Sequence, residues 1–222
     1  MTTVIIVAAG KSTRMGTGTD KAFISLNGKP VVAWSLLAFE RCPEVDRIVL
    51  VVRKDQIVAS KAVVKMFGIS KIQEIVAGGT RRQDSVNAGI KACDPDTRYV
   101  VIHDGARPLV KSEWLSEMIP LVRRSPALTF GRPLVDTVKY VERGTTVSRT
   151  EDRSKLWGVQ TPQAFQIKYL REAYKDVSGE EWTDDCEAVE KKGTPVKIIE
   201  NRQPNLKITT VEDLQMASAL LK

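Results

Sequence analysis

The chain is poor in residues that several enzyme classes depend on. Among its 222 residues there is one histidine, His103, and three cysteines, Cys42, Cys93 and Cys186. A Ser-His-Asp hydrolase would have no base other than His103, and that residue, at the end of an apolar run, reads as packed and structural, so acyl-transfer hydrolysis is disfavoured. The cysteines are odd in number, widely separated and without a CxxC pair. That excludes a disulfide framework and predicts a reducing, cytoplasmic setting. Aromatic residues make up 6% and do not interleave with arginine, as a base-stacking platform requires. No run of five or six like charges occurs, although the formal net charge is +7. Small anionic substrates account for that surplus better than nucleic acid does. No segment approaches membrane-spanning length, and the apolar stretch 4–9 is too short for a signal peptide.

What is present begins at once. A β-branched strand, Thr3 to Val7, runs into Ala8-Ala9-Gly10-Lys11-Ser12-Thr13-Arg14-Met15-Gly16, with Lys21 shortly after. Small residues let a ligand approach the backbone, and loop N–H groups with an arginine and a lysine are suited to polyphosphate. The spacing fits neither a Walker loop nor a dinucleotide fingerprint. Gly10 alone would indicate only a tight turn; the whole run points to phosphate.

Further β-branched runs follow at Arg47–Val52, Lys71–Val76, Tyr99–His103, Leu128–Pro133 and Val196–Glu200. Between them Val32–Arg41, Gln56–Met66, Arg82–Cys93, Ser112–Arg123 and Ile167–Asp176 carry helical spacing, as does Val211–Leu220 at the end. This alternation predicts an α/β fold over residues 1–222: a Rossmann-like, mainly parallel sheet flanked by helices, with the chemistry in loops beyond the strands' carboxyl ends. One segment breaks the rhythm. Residues 136–157 read as a hairpin, Thr137–Glu142 and Thr145–Thr150 about Arg143-Gly144, which needs something to lie against. Its own domain and a second subunit are both open.

The loops after the strands hold the suggestive residues. Gly78-Gly79-Thr80-Arg81-Arg82-Gln83-Asp84-Ser85 opens a helix; Asp84 or Ser85 suits capping, while two glycines and two arginines suit a planar polar group beside phosphates. In His103-Asp104-Gly105-Ala106-Arg107-Pro108, Asp104 stands where a nucleotide enzyme keeps its metal carboxylate, or else it pairs with Arg107. Thr161-Pro162-Gln163-Ala164-Phe165 reads as a rigid turn before a helix. Thr183-Asp184-Asp185 reads as a helix cap on Thr183, and Asn205-Leu206-Lys207-Ile208-Thr209 as a short strand with an inserted lysine.

Taken in order, these motifs resemble the cytidylyltransferases that activate sugar and polyol phosphates, most closely those acting on 2-C-methyl-D-erythritol 4-phosphate. The resemblance is carried by Ala8-Ala9-Gly10, Arg14-Met15, Lys21, Gly78-Gly79, Arg82, Ser85, Asp104, Ala106-Arg107-Pro108, Asp136-Thr137, Thr161-Pro162-Gln163, Phe165 and Asn205-Leu206-Lys207. It implies transfer of CMP from CTP to the polyol phosphate, with release of pyrophosphate, in non-mevalonate isoprenoid synthesis. Arg14, Lys21 and Lys207 would be catalytic. Ala8, Ala9, Gly10, Gly79, Arg82, Ser85, Asp104 and Ala106 would bind CTP, and Asp104 a magnesium ion or another divalent cation. Arg107, Asp136, Thr137, Arg153, Thr161 and Lys207 would bind the polyol phosphate. The resemblance also implies a homodimer in which the hairpin arm reaches the partner's site, with neither nucleic acid nor membrane as partner. Asp20 stands where relatives commonly carry proline. A ribitol- or other pentitol-phosphate enzyme shares these motifs, and a non-catalytic nucleotide or RNA binder would use the same loops without releasing pyrophosphate.

Overall fold

The computed structural model describes residues 1–10, 20–175, 177, 179 and 181–221. Strand β1 (Thr2–Ala8) shows why the sheet has cores on both faces: Val4, Ile6 and Ala8 join one apolar cluster and Ile5 the other. Side chains alternate along a strand, so a nearly continuous apolar run packs helices above and below.

Two short strands, β2 (Ser25–Leu26) and β3 (Lys29–Pro30), precede α1 (Val31–Arg41). Strand β4 (Arg47–Val52), α2 (Ile57–Met66), β5 (Ile72–Ala77) and α3 (Arg82–Lys91) complete the first half. Then come β6 (Tyr99–Asp104), α4 (Ser112–Val122), β7 (Ala127–Pro133), and the small β8 (Lys139–Tyr140) and β9 (Arg149–Thr150). The chain continues through β10 (Trp157–Gln166), α5 (Ile167–Ala173), α6 (Asp185–Glu190), β11 (Val196–Glu200) and α7 (Val211–Leu220). The seven-stranded sheet has the order β11-β7-β10-β6-β1-β4-β5. Every pairing is parallel except the two made by β10. Helices α1, α2 and α4 supply Leu36, Phe39, Val63, Leu115 and Met118 to one core, and α3, α5 and α6 supply Val86, Ile90, Leu170 and Val189 to the other.

The order places a site. From β1 the chain moves outward through β4 and β5, then crosses to the other side of β1 for β6. Val7 stands opposite Asp104, Ala8 opposite Val52, and Val52 opposite Ala77. Four parallel strands thus end together at the point where the order reverses, where an open α/β sheet leaves a crevice.

Four local expectations are corrected. Thr161–Phe165 lies within β10, with a register shift between Gln160 and Gln163 around Pro162. Proline has no N–H to give a ladder, but an irregularity in the pairing accommodates it. Asp184, not Thr183, caps α6, its carboxylate accepting from the Glu187 N–H. Asn205–Thr209 is loop, tied to the site by the Ile208 N–H donating to the Ala106 carbonyl. The arm between Asp136 and Trp157 pairs only at Lys139–Thr150 and Tyr140–Arg149, far shorter strands than expected. Its side chains are mostly exposed, so burial cannot extend the ladder.

Candidate active site

A cleft of about 760 Å³ opens at the carboxyl ends of β1, β4, β5 and β6. Ala8, Ala9 and Gly10 form its floor beyond β1, with Lys21 following. The opposite walls carry Gly79, Arg82 and Ser85 at the start of α3, then Asp104, Ala106 and Lys207. Ten residues read from the sequence as site residues therefore meet in one cavity. Arg14 lies outside the described residues.

The Gly78-Gly79 turn is shaped by close approach. A β-carbon on Gly78 would lie 2.5 Å from Ala9 Cβ and 2.7 Å from Ser85 Oγ. The loops after β1 and β5 can be neighbours only if this position has no side chain. The Gly79 N–H donates to Ser85 Oγ at 3.1 Å, and that hydroxyl donates to the Arg81 carbonyl at 3.2 Å. Asp84 caps the helix, accepting from the Arg81 N–H at 3.1 Å and pairing with the Arg81 guanidinium at 2.7 Å. The start of α3 thus faces the cleft with a helix N-terminus, favourable to anions.

Asp104 is the electrostatic centre. Lys207 Nζ lies 2.8 Å from Oδ2 and Arg107 Nε 3.6 Å from the same oxygen, while Arg82 Nε approaches Oδ1 at 3.3 Å. Burial alone would raise the Asp104 carboxyl, but Arg82, Lys207 and Arg107 together hold it well below the ordinary carboxylate range. The group is ionised at any physiological pH. Arg107 is itself fixed, donating from Nη1 to the Asn205 carbonyl at 2.7 Å.

A chain of hydrogen bonds supports this carboxylate from behind. The Asp104 N–H donates to Thr161 Oγ1 at 3.0 Å, and Thr161 Oγ1 lies 3.3 Å from His103 Nδ1. His103 Nε2 is 3.2 Å from the Arg107 carbonyl, which can only accept. The proton therefore sits on Nε2, and Nδ1 accepts from the threonine. Burial pushes the imidazole down to about 3, so it is neutral. His103 is structural, as its place in the sequence suggested.

Other expected positions lie elsewhere. Thr161 and Arg107 stand behind the cleft wall, joined to Asp104. Asp136, Thr137 and Arg153 are exposed on the arm, where Arg153 Nη1 donates to the Val135 carbonyl. Within one chain the arm residues are not brought to the cleft. Sequence reasoning assigned no role to Arg53, Lys54 and Asp55, which line the cleft just past β4. The rule that ligands gather beyond strand ends could have found them. It also missed Asp185, a buried partner of Arg82 at 2.8 Å, because an acid at a helix start looks like capping.

The comparisons with known proteins agree with this geometry. The family model described as IspD, 2-C-methyl-D-erythritol 4-phosphate cytidylyltransferase, matches residues 2–222. A protein of that name from Dehalococcoides mccartyi is 45% identical over 219 residues, covering 98% of this chain and 95% of the relative. One from Desulforamulus reducens is 42% identical, covering 98% of this chain and 94% of the relative. The crystal structure of 4-diphosphocytidyl-2C-methyl-D-erythritol synthase from Anaerococcus prevotii superposes with a TM-score of 0.88 at 32% identity, covering 100% of this chain and 96% of that one. Shared sequence over nearly the whole length, a shared fold and a cleft built from the matching residues lead to one conclusion: the chain belongs to the 2-C-methyl-D-erythritol 4-phosphate cytidylyltransferase family.

Proposed function

We propose that this cleft is where the chain performs its family's reaction. The 4-phosphate of 2-C-methyl-D-erythritol attacks the α-phosphorus of CTP, the bond to the β-phosphate oxygen breaks, and the CDP-polyol and pyrophosphate leave. The observation that carries this reading is Asp104, held by Arg82, Arg107 and Lys207 at the crevice between β1 and β6. In such a transfer the protein's work is positioning and neutralising charge on phosphoryl oxygens. Backbone N–H groups after β1, with Lys21 and Arg14, would hold the triphosphate. Gly79 and Ser85 would meet the cytosine edge, where a wrong base leaves buried polar groups unpaired. Lys207, reaching into the cleft, would follow charge onto the attacking phosphate.

Asp104 also suits a divalent cation. Among the described residues no group of three or more His, Cys, Asp or Glu side chains could hold a metal. A single ligating carboxylate would suit a magnesium ion that arrives with the nucleotide, and Asp104 would hold it. The bound ion would supply Lewis-acid neutralisation of the phosphate oxygens.

A homodimer is part of the proposal. The arm and the strands beside it expose Val135, Tyr140, Val141, Val147, Trp157, Val159 and Ile198, an apolar surface suited to a second copy. Thr137, Arg153 and Asp136 would then serve the partner's polyol site. Three free, buried cysteines fit a cytoplasmic setting. Among the described residues no helix is long and apolar enough to cross a membrane.

The test is pyrophosphate release with CTP and Mg²⁺, supplying methylerythritol 4-phosphate and ribitol 5-phosphate separately. Release with the first alone is expected. Release with ribitol phosphate alone would move the substrate assignment, and silence with both would favour a nucleotide binder.

A further inference from the structure

Asp185 is an acid the reaction does not obviously need. It is fully buried at the first position of α6, one residue beyond the cap, so capping does not explain it. Its Oδ2 accepts from Arg82 Nη2 at 2.8 Å, and its Oδ1 accepts from the Tyr174 hydroxyl at 2.6 Å. Arg82 in turn reaches Asp104 Oδ1 through Nε. One guanidinium thus joins two carboxylates, one inside the core and one facing the cleft.

The two oxygens of Asp104 are held differently. Oδ2 faces Lys207 at 2.8 Å, whose side chain is 38% exposed and can swing toward a phosphate, and Arg107 at the longer distance of 3.6 Å. Oδ1 faces Arg82, which is anchored at its far end. An unanchored arginine beside arriving phosphates would leave a carboxylate for them, since its planar fork binds phosphate with two hydrogen bonds. We propose that Asp185 is a positioning residue: with Tyr174 it retains Arg82 on Asp104 Oδ1, so that Oδ2 is the oxygen presented to the metal–nucleotide complex. Burial alone would lower Arg82, and Asp185 and Asp104 reverse this, so the guanidinium stays charged throughout.

This inference rests on Asp104 as the metal carboxylate. It predicts that loss of Asp185 weakens metal binding through Arg82 and not by itself. The experiment measures Mn²⁺ binding to the enzyme–CTP complex from the free-ion paramagnetic resonance signal, alongside magnesium-dependent kinetics. Asp185→Asn and Arg82→Gln should each raise the Mn²⁺ dissociation constant about tenfold, the low end for outer-shell partners of a metal site. The double variant, which conserves net charge, should be no worse than the poorer single one. Tyr174→Phe should raise the constant roughly threefold, as the loss of one hydrogen bond in the same network. It keeps the question answerable if Asp185→Asn does not fold. A dissociation constant unmoved in Asp185→Asn or Tyr174→Phe, or fully multiplicative effects in the double variant, overturns the inference. If wild type also releases pyrophosphate, only the inference fails. If wild type with CTP retains no Mn²⁺, the metal assignment and the inference fall together.

Discussion

Lys207 places its ammonium 2.8 Å from Asp104 Oδ2, yet it belongs to a loop, 103 residues further along the chain, rather than to the sheet. A phosphate entering the cleft would compete with the carboxylate for the same cation. If Lys207 follows charge onto the attacking phosphate, Lys207→Met should lower kcat by roughly 10²-fold or more, the usual scale for a lost transition-state donor. CTP binding by calorimetry should change much less. A loss confined to KM, with kcat preserved, would make Lys207 a ground-state binding residue instead.

Gly78 can be tested by adding one carbon. In Gly78→Ala the new methyl meets Ala9 Cβ and Ser85 Oγ, so the loops after β1 and β5 must separate. The turn lies at the surface end of the sheet, beyond the main core, so the global fold should persist. CTP affinity should fall about tenfold or more, corresponding to roughly 1.4 kcal/mol, with the urea midpoint little changed. Unchanged affinity would mean that the loops open without consequence for the nucleotide.

Much of this fold was legible because β1, β4 and β6 are buried on both faces and read as unbroken β-branched runs. The alternation of those runs with helices fixed the sheet's character, and the small residues after β1, β5 and β6 marked the cleft. Less was legible where one residue type serves two purposes. Pro162 announces a turn, but at a register shift it sits within β10. Asp185 looks like a first-turn acid, and only the fold brings it to Arg82. Thr161 Oγ1 accepts from the Asp104 N–H and lies 3.3 Å from His103 Nδ1, contacts that a Thr-Pro-Gln run does not announce. Long-range polar pairs of this kind leave no periodic trace in a sequence.

His103 gives the protein a pH-dependent stability whose sign is fixed. Folded, the imidazole is held neutral because burial lowers it to about 3 from 6.5. Unfolded, it takes up a proton as pH falls below its ordinary value. Its contribution is therefore complete above about pH 6.5 and is lost progressively toward pH 3, amounting to roughly 2 kcal/mol by pH 5. Above pH 5 this magnitude depends on the unfolded value alone. Carboxylates held low, such as Asp104, lose their contribution only at lower pH. His103→Gln, which can still donate to the Arg107 carbonyl and accept from Thr161, should show a smaller fall in urea midpoint between pH 7 and pH 5. Equal falls in both proteins would assign the effect to other groups.

The proposed arm exchange yields a test that does not require seeing the dimer. Lys21→Ala damages the cleft and leaves the arm intact; Arg153→Ala damages the arm and leaves the cleft intact. Each alone should be nearly inactive at low methylerythritol phosphate concentration. If Arg153 serves the partner's site, a hybrid dimer contains one cleft with an intact Lys21 facing an intact arm. Random exchange of equal amounts makes half the dimers hybrid, so activity should recover to about a quarter of wild type, as symmetry dictates for an isologous pair. If Arg153 serves its own chain's cleft, every site in the mixture carries a defect and mixing restores nothing. The exposed apolar side chains from Val135 to Trp157 favour the first result, because a second copy lying against the arm would cover them.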